Sequence, residues 1–308
     1  MVKISKKKMK KEKKRIIQRK PLKTKAGAKT KASKQSSVAS TKTSPAKLKV
    51  GVQSITGCAG CQLSIYFIED ILLELLDKID IVAAPMIKEK NVEEYDVLLV
   101  EGSVSSQEDL DRLMKFREQA KVLVALGACA CHGGVQSMKH LLSDKEAKEA
   151  EQAVYGNKFP SEPGLKSITS VPIHKYVKVD FYIPGCPPDK QEIVQVLKWL
   201  IQGRRLKAFD KAVCHECSLK ENYCLLDQGI ECLGPLMNGG CRALCPSFNH
   251  PCTGCRGLLD DANLESGKQV LKDKGFDADM VIKRMTKYNA LQFKEFEEKG
   301  KSPPVGSK

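Results

Sequence analysis

The sequence predicts an α/β fold: a doubly wound parallel sheet followed by a small irregular domain. Three observations carry this. Between residues 48 and 203, short apolar runs alternate with stretches of helical spacing. Several of those runs end in Gly-containing loops that hold a cysteine or a carboxylate. Beyond residue 203 the alternation stops, and eight of the chain's thirteen cysteines crowd into 214–255.

Taken in order, residues 48–54 (LKVGVQS) alternate like a strand and lead into the loop TGCAGC at 56–61. Residues 62–77 place apolar side chains at helical spacing, and 79–83 (IDIVA) form a short apolar run. Residues 95–100 (YDVLLV) read as a buried strand ending at Glu101-Gly102-Ser103, followed by an amphipathic helix over 106–119. A second buried strand, 121–127, runs into the loop ACACHGG. Residues 143–154 are charged and helical, and 156–172, with three prolines and two glycines, read as loop. The run 179–183 (VDFYI) leads into PGCPPD, and 189–202 form a helix with Asp189 as its N-cap. Polar helical stretches near 262–275 and 278–298 carry no evident chemistry, and the chain ends in a loose SPPVGSK.

Buried strands alternating with helices imply a parallel sheet covered on both faces, close to the flavodoxin type. Such sheets bind ligands beyond the carboxyl ends of their strands. Cys58, Glu101, Cys129 and Cys186 each fall just past a predicted strand end, so four loops should meet on one rim. The expected organisation is a basic tail over 1–47, a flavodoxin-like domain over 48–203, a cysteine-rich domain over 204–260 and a polar helical tail over 261–308.

The net charge of +15 is concentrated at one end. Residues 1–47 hold eighteen Lys and Arg against the single acid Glu12, whereas 48–308 hold 34 basic and 36 acidic residues. The tail is too poor in apolar side chains to offset its ordering entropy, so disorder is expected there. A solvated tail is the plain reading; contact with nucleic acid or an acidic surface is the alternative. No run approaches the roughly 18 apolar residues that span a bilayer. No apolar stretch backs the N-terminal charges as in a secretory signal, and a twin-arginine motif is absent. The expectation is a cytoplasmic protein whose thiols are metal ligands rather than disulfides.

Clustered thiolates are soft donors that hold iron–sulfur clusters or zinc. Twelve of the cysteines make three quartets: Cys58, Cys61, Cys129 and Cys186 upstream, then Cys214, Cys217, Cys224 and Cys232, then Cys241, Cys245, Cys252 and Cys255. A cubane cluster needs four thiolates and backbone amides close by, and glycine-rich loops let the chain approach closely. Cys58-Ala-Gly-Cys61 opens a helix, whose N-terminal dipole favours an anionic ligand. Between Cys129 and Cys131, Cys129 is the expected ligand because it follows the strand end directly, and Cys131 is a buried small hydrophobe. His132 is expected to make a loop hydrogen bond. Glu101 is read either as a capping or paired carboxylate, or as a proton-relay or docking group beside the first quartet. Zinc is the rival metal, through Cys214-x-x-Cys217 and Cys252-x-x-Cys255, but leaves four cysteines of the segment without a role.

Together, CxGC, EGS after a strand, GACAxxGG and PGCPP resemble the small subunit of nickel–iron hydrogenases and the related 20-kDa iron–sulfur subunit of respiratory complex I. That resemblance covers about residues 48–203. The complex I subunit has adjacent cysteines in its first motif and lacks the eight-cysteine extension. The stretch CLGPLMNGGCRALCPSFNHPCTGCRG at 232–257 is similar to the cytosolic hydrogenases of the viologen-reducing, deazaflavin-reducing and sulfhydrogenase types.

The resemblance implies three [4Fe-4S] clusters: a proximal one on the upstream quartet, a distal one on Cys214, Cys217, Cys224 and Cys232, and a medial one on Cys241, Cys245, Cys252 and Cys255. In many periplasmic relatives a His opens the distal set and a Pro replaces one medial cysteine; here Cys214 and Cys245 stand in those places. It also implies that the nickel–iron centre resides on a partner large subunit. No residue of this chain would then be catalytic, and it would relay electrons to a flavin or iron–sulfur acceptor subunit. The competing readings are an iron–sulfur subunit of a complex I-like membrane oxidoreductase and a zinc-containing nucleic-acid-binding protein. The basic tail has no counterpart in the family pattern.

Overall fold

A computed structural model describes residues 47–87, 94–156 and 170–299. The basic tail, most of the loop expected over 156–172 and the final SPPVGSK lie outside the described residues. The described residues form one compact unit.

Five parallel strands make the sheet: β1 (Leu48–Ser54), β2 (Ile79–Ala83), β3 (Tyr95–Glu101), β4 (Ala120–Leu126) and β5 (Phe181–Ile183). Their order is β2-β1-β3-β4-β5, the doubly wound order expected. The two central strands are apolar on both faces. Leu98 and Val100 of β3 and Leu123 and Ala125 of β4 join one buried cluster, while Val97, Leu99, Val124 and Leu126 join the other. That alternation is the period-two pleat of a strand with both sides covered.

The first face is covered by α3 (Gln107–Gln119), through Leu113 and Phe116, and by α4 (Gly127–His132), through Ala130 and Cys131. The second is covered by α1 (Gly60–Tyr66), α2 (Glu69–Leu76) and α6 (Lys190–Ile201). The charged stretch after Ser143 forms α5 (Asp144–Tyr155), with no buried residue. Asp189 caps α6 as expected, its Oδ1 accepting from the Gln191 and Glu192 amides at 3.0 and 3.1 Å.

Two expectations change. The helix read over 62–77 is broken between α1 and α2. Ile68 turns into the core while Phe67 stays exposed, and the Phe67 carbonyl freed by the break accepts from Lys190 Nζ at 3.0 Å. The segment ACACHGG, expected as a loop, is the helix α4, entered through Gly127 at φ 86°.

The cysteine-rich segment is built from α7 (Val213–Leu219), short turns and α8 (Leu244–Ser247). Its core is a third apolar cluster that includes Val213, Leu233, Leu236, Met237 and Leu258. The same cluster takes in Leu264 and Leu271 of α9 (Leu264–Asp273) and Val281, Ile282 and Met285 of α10 (Ala278–Lys299). No helix among the described residues is long and apolar enough to cross a membrane.

Register decides where the loops emerge. Ser54 pairs with Glu101, Glu101 with Leu126, and Leu126 with Ile183. Four strand ends are therefore level, and the loops after them leave from one rim. Asp109 braces this rim: its Oδ2 accepts from Thr56 Oγ1 at 2.7 Å and from the Ser105 and Ser106 amides at 3.0 Å. The Ser106 hydroxyl returns a cap to the Asp109 amide at 3.1 Å. Ser106→Ala should cost about 1 kcal/mol, as is usual for the loss of an N-cap. Asp109→Ala, which strands three donors, should cost roughly 2–3 kcal/mol. Urea unfolding of the two variants measures both.

Candidate metal centre

The upstream quartet gathers at the level rim. Cys58 comes from the β1–α1 loop, Cys61 from the first turn of α1, Cys129 from α4, and Cys186 from the loop after β5. Burial first, then Glu101, Cys129, Cys186 and Cys58, push the Cys61 thiol well above the usual range. Burial likewise raises Cys186, with Cys129 and Cys58 adding to it. At Cys186, and after Glu101 at Cys61, the charges that oppose ionisation are those of other members of the quartet. All thirteen cysteines are free thiols.

Backbone closeness around the sulfurs depends on glycine at two positions. A Cβ on Gly127 would overlap Cys61 Sγ, and one on Gly134 would stand 2.5 Å from Cys129 Sγ. Both residues also have positive φ, 86° and 63°, where L side chains are strained. The Ala128 amide donates to the Gly185 carbonyl at 2.7 Å, tying the Cys129 helix to the Cys186 loop.

Glu101 is only 2 % exposed. Its carboxylate accepts from the Cys61 amide at 3.2 Å, the Gln62 amide at 3.3 Å and Gln62 Nε2 at 2.6 Å. It caps α1 from across the rim, so the first-turn amides that could have faced an anionic ligand are engaged by Glu101. Cys131 faces the other way from Cys129. It is buried among apolar side chains, and its thiol points at the Ala125 carbonyl, 3.6 Å away. Cys129 donates instead to Gln136 Oε1 at 3.4 Å. His132 is buried, its pKa pulled down to about 3 chiefly by desolvation, and its Nε2 has no hydrogen-bond partner.

In the extension, Cys214 and Cys217 lie three apart on α7 and share a face. Burial, then Cys232, Cys217 and Cys224, push Cys214 up to about 12. The remaining four, Cys241, Cys245, Cys252 and Cys255, line one cavity together with Arg256. The three groups stand in a row. Cys255 is raised by burial and, more weakly, by Cys245 and the upstream Cys186. At the other side, the Cys252 amide donates to Cys232 Sγ at 3.3 Å. The four cysteines latest in sequence therefore lie between the other two groups.

Several residues that sequence reading left out hold these loops. Glu216, between Cys214 and Cys217, accepts from the Arg242 amide at 3.0 Å and the Ala243 amide at 3.2 Å. Both are non-glycine residues in the left-handed region, φ 57° and 47°, just after Cys241. Arg256 makes a buried ion pair with Glu192. From α10, Asn289 Nδ2 donates to the Gly254 carbonyl at 2.5 Å, inside the Cys252–Cys255 turn, and Gln292 Oε1 accepts from the Leu258 amide at 3.0 Å. Asn289 departs from helical geometry, at φ −131° and ψ 31°. The partners that hold these cysteine loops all lie far along the chain, where a sequence pattern does not mark them.

The donor set fits an iron–sulfur cluster in chemistry. Four thiols supply the soft donors of each group, burial and mutual repulsion disfavour free thiolates, and a cationic core would relieve both. Among the described residues no three His, Cys, Asp or Glu side chains are placed to share a single metal ion.

Residues 58–200 match the family of the NADH ubiquinone oxidoreductase 20 kDa subunit. The sulfhydrogenase 2 subunit delta of Pyrococcus furiosus is 43% identical over 241 residues, 78% of this chain and 98% of that one. A subunit of the vhu F420-non-reducing hydrogenase of Methanocaldococcus jannaschii is 36% identical over 69% of this chain and 83% of its own. A solved NAD+-reducing nickel–iron hydrogenase chain aligns at 32% identity with a TM-score of 0.47, over 52% of this chain and 94% of that chain. The sequence matches thus define an oxidoreductase subunit related to the 20 kDa subunit. Within that class the chain belongs to the family of nickel–iron hydrogenase small subunits.

Thiol reactivity checks the geometry without any metal. Only the thiolate reacts, and an ordinary cysteine is largely ionised above about pH 8.5. In anaerobically stripped protein, Cys61 alkylation should still be climbing beyond that pH, because its raised pKa keeps it protonated. Cys131 should be labelled last of all. Peptide mapping that finds Cys131 labelled ahead of Cys129 would overturn the placement of α4.

Proposed function

We propose that this chain is the electron-transfer subunit of a cytoplasmic nickel–iron hydrogenase and holds three [4Fe-4S] clusters. Cys58, Cys61, Cys129 and Cys186 would hold the proximal cluster. Cys241, Cys245, Cys252 and Cys255 would hold the medial one, and Cys214, Cys217, Cys224 and Cys232 the distal one. The observation that carries the reading is the row of three thiol groups, joined at Cys186 and Cys255 and again at Cys232 and Cys252. When bound, such clusters supply one-electron carriers whose potentials follow hydrogen bonding and burial.

The chain's own part is to fix the spacing and connect two partners. One partner would be a large subunit carrying the nickel–iron centre at the proximal end. The other would be a flavin or iron–sulfur acceptor subunit at the distal end. The proposed division of labour is 48–203 for the proximal domain, 204–260 for the other two clusters and 261–308 as a helical cover. Whether the basic tail over 1–47 touches nucleic acid or an acidic surface is a separate proposal, tested by its deletion.

The complex I-like alternative has less support. The family match ends at residue 200, whereas the match to the Pyrococcus subunit spans 241 residues and so must run into the eight-cysteine extension. The zinc reading is answered by metal analysis. Anaerobically purified protein should contain about twelve iron and twelve labile sulfide per chain; zinc without sulfide would defeat the proposal. Cys129→Ala should remove about four of each, together with one paramagnetic signal on reduction, while Cys131→Ala keeps all. The reverse result would reassign the ligand.

A further inference from the structure

Two cysteines of the middle group are each followed directly by an arginine, Cys241-Arg242 and Cys255-Arg256. Both arginines reach back to the start of α6, next to the Cys186 loop. Arg242 Nη2 donates to Asp189 Oδ2 at 3.0 Å. Arg256 makes a forked pair with Glu192, Nη1 to Oε2 at 2.6 Å and Nη2 to Oε1 at 2.8 Å. They differ in burial: the Arg242 side chain is 44% exposed, that of Arg256 4%.

Arg256 also directs donors at the backbone. Nη1 donates to the Pro184 carbonyl at 2.7 Å, and Nε to the Gly239 carbonyl at 2.5 Å. Pro184 lies two residues before Cys186, and Gly239 lies two before Cys241. One guanidinium therefore joins a loop of the proximal group to two loops of the middle group. The chain makes room for it: Gly240 has φ 98°, and a Cβ there would overlap Arg256 Nη2.

We propose that Arg256 is a positioning residue that fixes the spacing between the proximal and middle thiol groups and makes the middle group's cluster easier to reduce. The proposal rests on the three-cluster reading above. The physical basis is twofold. A planar fork with donors at fixed angles holds three backbone segments and one carboxylate, which lysine cannot reproduce. A buried cation beside an anionic site stabilises its more negative, reduced state, because there is little solvent to screen it. Glu192 faces Arg256 from α6 and offsets part of that charge. Arg256 nevertheless lines the same cavity as Cys241, Cys245, Cys252 and Cys255, so its charge faces the middle group directly. Glu216 Oε2 lies 4.0 Å from Cys241 Sγ and opposes it there. Arg242, exposed to solvent, should contribute little by comparison.

The test uses the full chain purified anaerobically with its native partner subunits. Three variants are compared: Arg256→Lys, the charge-free pair Arg256→Met with Glu192→Gln, and Arg242→Gln. Redox titration followed by paramagnetic resonance gives each cluster's potential, and hydrogen exchange reports on the amides of Gly185 and Cys186 and of residues 239–243. The double variant should lower the potential of one cluster only and slow hydrogen-driven acceptor reduction at least tenfold. Arg256→Lys should keep that potential but speed exchange in both loops. Arg242→Gln should leave all potentials in place. An unchanged potential in the double variant overturns the proposal, as does an equal shift from Arg242→Gln. If the double variant does not assemble, unchanged exchange in Arg256→Lys overturns it instead. Wild-type protein devoid of iron and sulfide would defeat the cluster reading, while the exchange comparison would still decide whether Arg256 clamps the loops.

Discussion

Thiols held close together cannot all ionise at once, and much of this structure is arranged around that repulsion. At Cys61, burial opposes the charged form first, and Glu101 and the other three cysteines of its group oppose it further. The same pattern recurs at Cys214 with its own three neighbours. An arrangement that no thiolate would choose by itself must be imposed by the fold. The level strand ends do this for the upstream group, since four loops leaving one rim have nowhere to diverge. Gly127 and Gly134 then let backbone approach sulfur more closely than any side chain would permit.

Acidic side chains do the remaining placement. Glu101 holds the amides of Cys61 and Gln62, and Asp189 those of Gln191 and Glu192. Glu216 holds Arg242 and Ala243 in left-handed geometry. Each takes up two amides that would otherwise lack partners at a turn, and each lies close to a cysteine. A carboxylate near an anionic site is electrostatically unfavourable. It persists here because two charge-assisted hydrogen bonds fix a loop that nothing else near it could fix. This gives Glu101 a structural task that its position at a strand end did not reveal.

The strands could be read from the chain because their apolar runs are local. YDVLLV and KVLVAL are buried on both faces and admit little else. The crowding of cysteines into 214–255 was also readable, since cysteine spacing there is itself local. The break at Phe67 and Ile68 was not, because apolar spacing continues through it and the carbonyl it frees is met by Lys190, far along the chain. The helix at Gly127–His132 was hidden by small residues and glycines that read as loop. Arg256, Glu216 and Asn289 gave no signal because each acts on a backbone group distant in sequence, and only the folded chain names the partner.

The order of the thiol groups in space explains where those long-range contacts fall. The chain leaves the sheet, builds the far group on α7, and only then returns to build the group in between. An end group has one neighbour to keep its distance from, but the middle group has two. It is accordingly tied on every side: by Arg256 to the Cys186 loop, by Glu216 to the far helix, and by Asn289 to α10. The C-terminal helices, polar by composition, bury Val281, Ile282 and Met285 against the same core. A loose middle group would lose contact with both ends at once, so the constraint falls where the chain closes back upon itself.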